Sequence, residues 1–267
     1  MKLKTSLVLI IFLFCGLSIF PQKAIADSFK FKATYTLSAR LDSTSTNLIV
    51  NEDMILLIGD RLSSFSSKAL SVEQRLKVYG KSGHTSKTAV TEFPYILIKN
   101  REDKNRYYTQ NIVENQFLYK EVLNDFQWVF SEETKTYKGY TCKRASTNWK
   151  GRSYVVWYTE EIPIAEVPYK FSGLPGLIVE ISDTNNDYHF ELIGFEKLKE
   201  PIKFKLRFKD FIKLRKDKLT ALYRRYLKDP FTYINNPNIT ISEEVHRRYI
   251  VGFAKRLKER NNAMEKK

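Results

Sequence analysis

Cysteine is nearly missing from this chain, which has only Cys15 and Cys142. Cys15 falls in an amino-terminal segment expected to be removed, so one thiol remains and an intramolecular disulfide is excluded. Histidine is equally sparse. His84, His189 and His246 stand in no HxxxH, CxxC or similar spacing, which removes the usual metal patterns; no metal and no cofactor are expected. No phosphate loop and no GxSxG occurs. The paired carboxylates Glu132-Glu133, Glu160-Glu161 and Glu243-Glu244 are chain neighbours that diverge in space, so none marks a glycosidase site. Long apolar runs are confined to Leu7–Phe20, about 14 residues where a spanning helix needs roughly 20. With Lys2 and Lys4 before it and Ala24-Ile25-Ala26 after it, that run reads as a secretory signal peptide over residues 1–26, cut after Ala26. Phe14 stands where lipidation of Cys15 would want a small residue. The expectation is an exported protein of the periplasm or cell envelope.

Aromatics and positive charge are plentiful. The chain has 18 Phe, 16 Tyr and 3 Trp, enough to fill a sizeable core without disulfides. Its net charge is +15, unevenly placed: residues 196–267 hold 21 Lys and Arg against 9 Asp and Glu. Residues 27–195 balance. Such asymmetry suggests that the carboxy-terminal part is a separate unit meeting something acidic, such as lipid headgroups, surface glycan or an acidic partner protein. Nucleic acid is not expected, because no recognition motif accompanies the charge.

Alternating runs dominate the middle of the chain. Phe29–Arg40 reads as a first strand, and Met54–Ile58 with Leu62–Ser66 as a hairpin around Gly59-Asp60. Residues 68–79 suit one short helix, and Gly80–Thr88 a surface loop. Strands are expected at Phe93–Ile98, Arg106–Val113, Gln116–Leu123 and Phe126–Phe130, spaced as an antiparallel meander. Tyr137–Thr147 and Ser153–Thr159 form a long hairpin, and Leu177–Asp183 with Tyr188–Phe195 another. Ile202–Lys209 alternates strictly between apolar and cationic residues, as a half-buried strand does. The period then becomes helical from Phe211 to Leu227, with Asp210 as N-cap and Pro230 as stop. Thr240-x-x-Glu243 is a capping-box pattern opening a second helix, whose stripe is Val245, Tyr249, Phe253 and Leu257. The expected architecture is mainly β: a curved antiparallel sheet, half-barrel or sandwich of hairpins over residues 27–208. Residues 209–267 supply two basic helices on or beside it.

One segment organises the rest. Val167-Pro168-Tyr169-Lys170-Phe171-Ser172-Gly173-Leu174-Pro175-Gly176 holds two glycines and two prolines and runs into the strand at Leu177, so one stiff bent shape is expected. Together with Lys138–Ala145, Gly151-Arg152, Trp157-Tyr158-Thr159 and Ile162-Pro163-Ile164, the string Gly173-Leu174-Pro175-Gly176-Leu177-Ile178 resembles the GLPGLI family of exported Gram-negative proteins. The resemblance covers about residues 29–195, since Met54–Asp60 also looks like that family's amino-terminal part. Val167 departs from it, where glycine before Pro-Tyr is usual. The resemblance implies a signal peptide, an envelope location and no established activity, and it carries over no catalytic residues. By fold-level analogy, the strand pattern suits a curved sheet closed by helices, as in periplasmic lipoprotein carriers.

The residues themselves leave several readings open. Cys142 is either a small buried hydrophobe or a nucleophile, and only His189 is placed to serve as its base. Asp183 and Asp187 are turn formers or weak ligands for a hard cation. Tyr169, Phe171 and Leu174 either rim an apolar ligand pocket or plug the open end of the sheet. The basic helices either cover the sheet or dock on an anionic surface. The leading expectation is a non-enzymatic envelope protein that carries or scaffolds a peptide, an apolar ligand or a partner. The alternatives are a cysteine enzyme using Cys142 and a surface-interaction protein working through its basic helices.

Overall fold

The computed structural model describes residues 24–45, 48–72, 91–123, 126–233 and 240–266. Its centre is a twelve-stranded open sheet. In chain order the strands are β1 (Ala24–Arg40), β2 (Ile49–Ile58), β3 (Leu62–Ser67), β4 (Ile96–Asn100), β5 (Asn105–Ile112), β6 (Asn115–Val122), β7 (Val129–Tyr137), β8 (Tyr140–Trp149), β9 (Arg152–Thr159), β10 (Leu177–Asp183), β11 (Tyr188–Arg207) and β12 (Ile212–Lys213). Across the sheet they run β12-β6-β5-β4-β3-β2-β1-β11-β10-β9-β8-β7. Neighbours are antiparallel except β12, which lies parallel to β6. The expected mainly β architecture of hairpins with two basic helices is what forms.

The continuous apolar run Met54–Ile58 is explained by burial on both faces of β2. Met54, Leu56 and Ile58 enter the larger core with Tyr35, Leu37, Phe65 and Phe190, whereas Ile55 and Leu57 enter a second one with Phe29, Ile98, Leu206 and Phe208. The second core forms where the far half of the β1–β11 ladder, past irregularities in register near Phe29–Phe31 and Thr34–Tyr35, packs on the β2–β6 face. In Ile202–Arg207 the apolar side chains turn inward and Lys203, Lys205 and Arg207 stay exposed. Phe65 on β3 and Phe190 on β11 stand three strand spacings apart, about 14 Å in a flat sheet. Their rings are 6.1 Å apart, so the two side chains lean toward each other across that face.

Helix α1 (Lys216–Lys228) lays Leu219 against Ile112, Phe117 and Tyr119 of β5 and β6. Helix α2 (Glu243–Lys258) packs beyond it, with Phe231 and Tyr249 meeting at 4.7 Å.

Several boundaries differ from the sequence expectation. The chain does not enter helix α1 at Asp210. Phe208–Asp210 is a short 3-10 turn, Ile212-Lys213 pairs with Phe117-Leu118, and Arg215 takes the N-cap. The apolar pair Phe211-Ile212 thus serves the sheet edge. Ser242, not Thr240, caps α2 by accepting from the Val245 amide. Phe126 and Trp128 lie outside the ladder because their rings turn inward toward the bend. The run expected from Tyr137 breaks at Lys138-Gly139, where both φ values are positive and the hairpin reverses. Of the expected short helix near 68–79, Lys68–Leu70 forms a 3-10 turn and the rest from 73 lies outside the described residues, as does the expected loop at 80–88. The expected signal peptide lies outside them through residue 23, and Ala24–Ala26 pair with Lys205–Arg207 in β1.

Candidate functional site

The segment between β9 and β10 crosses the larger core over β3, β4 and β5. It makes few ladder bonds, so its backbone carbonyls must find other donors. Buried side chains supply them. Lys99 Nζ donates to the carbonyls of Val167 at 2.8 Å and Phe171 at 2.9 Å. Arg106 donates to Lys170 O at 2.7 Å and Trp128 to Ser172 O at 2.8 Å, and just past the segment, on β10, Tyr35 donates to Ile178 O at 2.8 Å. The buried Glu166 accepts from Ser63 at 2.6 Å and from Arg101. Burial pushes the Lys99 ammonium down to about 7, against the opposing pull of Glu166.

Two glycines make the corner. A Cβ on Gly176 would lie 2.0 Å from the Thr159 carbonyl oxygen, so only glycine fits that approach. Gly173 sits at φ +92°, where other residues are strained. Tyr169 is also left-handed, at φ 55°, without being glycine. For a bulky side chain this is an outlier that the surrounding hydrogen bonds must hold.

That strained tyrosine faces a cavity of about 220 Å³ between the bend, β5, β6 and helix α1. Tyr95, Tyr108, Tyr119, Tyr169 and Tyr223 line it, with Gln110 and Thr220. Tyr95 stacks on Tyr108 at 5.3 Å and Tyr108 on Tyr119 at 4.6 Å, giving a continuous aromatic wall. A second cavity, about 270 Å³, shares Lys170, Lys216 and Glu265 with the first and reaches Glu121 and Trp149.

Charge is concentrated where the two cavities meet. Lys170 Nζ lies 2.9 Å from Glu121 and 2.8 Å from Glu265. Lys216 lies 3.1 Å from Glu121 and 2.8 Å from Glu265. Tyr169 donates to Glu265 at 2.6 Å. Burial alone would raise the Glu265 carboxyl, but Lys170 beside it and hydrogen bonds from Lys170, Lys216 and Tyr169 outweigh it and hold the group at about 2. Glu121 is lowered too: burial opposes the shift, and Lys170 and Lys216 overcome it.

Glu265 reaches this point on a tail running back from helix α2. Arg152, which is buried, bonds to Asn262 Oδ1 at 2.5 Å and to the Ala263 carbonyl at 2.9 Å. Tyr188 donates to Asn262 O at 2.6 Å, and Tyr154 to Met264 O at 3.1 Å. The same guanidinium bridges the buried Asp183 and Asp187 at 2.7 and 2.8 Å, occupying the place a hard cation would take between them.

The residues singled out from sequence are dispersed. Cys142 is fully buried on β8, where burial pushes its thiol up. His189 sits on β11 and bonds to Glu180 at 3.2 Å, with β9 and β10 between it and β8. The two are not brought together. Tyr169 lines the cavity, whereas Phe171 and Leu174 are buried in the core beneath it. Lys170, Lys216, Glu121 and Glu265 were missed, since nothing local links four isolated charges on four elements. The alternation of Tyr119 with Glu121 on β6 was the only trace.

The match between the family model for the N-glycanase peptide, N-terminal domain, and residues 76–224 corrects the resemblance to the GLPGLI family. It also overturns the expected role as a carrier or scaffold of unknown activity. Two solved structures of PNGF-II, in different space groups, share the fold. One has a TM-score of 0.53 and 14% identity, covering 73% of this chain and 33% of that chain; the other has 0.51 and 17%, covering 73% and 32%. This chain thus spans about a third of their length. No curated protein matches it.

Proposed function

Because the chain belongs to the family of N-glycanase peptide N-terminal domains, we propose that it binds glycan, with the tyrosine-lined cavity beside Lys170 as its saccharide site. The stacked wall of Tyr95, Tyr108 and Tyr119 carries this reading. A sugar ring offers a flat C–H face and a rim of hydroxyls. The aromatic wall suits the first, and Gln110, Thr220 and the charged groups at the cavity end suit the second. Either cavity alone is smaller than the roughly 300–1,000 Å³ of small-molecule pockets; the two adjoining ones together reach it. The role is recognition, since both nearby carboxylates are engaged by Lys170 and Lys216 and neither stands free to act as acid or base.

Titration with N-glycan oligosaccharides, followed by NMR shifts or tyrosine fluorescence, tests the reading. Binding is expected, and Tyr108→Ala should weaken it by on the order of tenfold. An unchanged spectrum at millimolar sugar would overturn it. Export belongs to the same proposal: sequencing the amino terminus of the secreted protein should find Asp27 first.

A further inference from the structure

We infer that the charged end of the cavity is a subsite for the carboxylate of an acidic sugar, a uronic or sialic acid, which Glu265 occupies in cis. The inference rests on the glycan reading above and names the sugar class.

Charge at the site requires an anion there. Lys170, Lys216 and Arg106 face Glu121 and Glu265. Without Glu265, three cations would be left with one carboxylate. Cationic capacity is already in excess: Arg106 is 1% exposed, its Nη1 stands 3.6 Å from Glu121, and its Nε has no hydrogen-bond partner among the described residues. A carboxylate at the position of Glu265 receives two ammonium groups and a tyrosine hydroxyl within 2.8 Å, a charge-assisted set built for a planar anion. The adjoining aromatic wall would hold the sugar ring to which such a carboxylate is attached.

Glu265 is well placed to yield the position. The tail is held mainly ahead of it, by Arg152 on Asn262 and Ala263, by Tyr188 on Asn262 and by Tyr154 on Met264. Beyond it, Lys266 makes one backbone bond to Lys150 at 2.9 Å. A turn of the Glu265 side chain frees the subsite without releasing the Arg152 anchor. Competition of this kind lowers apparent affinity by the fraction of molecules in which the site is free.

The test compares the full chain and its Glu265→Ala variant against a glucuronic-acid-terminated oligosaccharide and the same sugar reduced to its neutral form. E265A is expected to bind the acidic sugar on the order of tenfold more tightly than wild type, with the neutral sugar changed by less than about twofold. Adding Lys170→Met should abolish the preference. If E265A loses its native circular dichroism, Glu265→Gln, which keeps the shape but removes the charge, carries the same comparison with the same expectation. Equal gains for acidic and neutral sugars would overturn the subsite and leave the glycan reading standing. Equally tight capture of a short acidic peptide would overturn the assignment to sugars. Failure of every natively folded variant to bind either sugar would overturn both proposals.

Discussion

The Tyr169 hydroxyl donates to Glu265 at 2.6 Å across 96 residues of chain. That bond ties a backbone-strained tyrosine in the bend to the tail that returns from helix α2. The cavity that both line therefore depends on the bend and the tail at once.

Glu265 makes the fold sensitive to acid. Its carboxyl is held at about 2, below its ordinary value, so the stabilisation is present above pH 4.5 and lost as pH falls through 2. A shift of this size is worth roughly 3 kcal/mol. Urea midpoints measured from pH 5 to pH 2 should fall more steeply for wild type than for Glu265→Gln; parallel curves would refute the assignment.

Lys99 adds a slope of the same sign at higher pH. Its folded value near 7 is depressed by burial, so the unfolded chain binds more protons between about pH 7 and 10.4, and stability rises with pH across that window. Lys99→Met removes this slope. It also leaves the Val167 and Phe171 carbonyls without their donor, at about 1–3 kcal/mol each. Chemical denaturation of both proteins at pH 7 and pH 9.5 separates the two effects.

Removing the Arg152 guanidinium should be costly. Asp183 and Asp187 are each 3% exposed, and Arg152→Ala leaves both carboxylates short of their shared cation, although Arg40 still reaches Asp187. Breaking such a buried set costs about 3–5 kcal/mol. Amide exchange at Asn262 and Lys266 should accelerate before the sheet does, because the same change releases the tail.

Two glycines give a paired comparison. Gly176→Ala places a Cβ against the Thr159 carbonyl at 2.0 Å, so backbone must move, and a loss above about 3 kcal/mol is expected. Gly194→Ala meets nothing within 4 Å and should stay within about 0.5 kcal/mol. Thermal melts of the two variants decide it; similar melting temperatures would mean that the corner is soft.

Most strands were legible because their signal is local. Phe31 to Leu37 alternates, and Ile202 to Arg207 sorts apolar from cationic side chains by the period of a pleat. Ends were less legible where a residue had two uses. Phe211 and Ile212 fit a helical stripe, but the edge of β6 recruited Ile212 as a strand partner. Ser242 and Thr240 both carry capping hydroxyls, and only the geometry of the turn chose between them.

By itself the sequence determined a mainly β chain with a stiff Gly-Pro corner, a basic carboxy-terminal quarter and no cysteine or histidine spacing for familiar chemistry, because composition and period act over a few residues. Tertiary structure alone decided which charges meet. Glu121, Lys170, Lys216 and Glu265 come from β6, the bend, helix α1 and the tail, and their attraction depends on distance in space, which spacing along the chain does not encode.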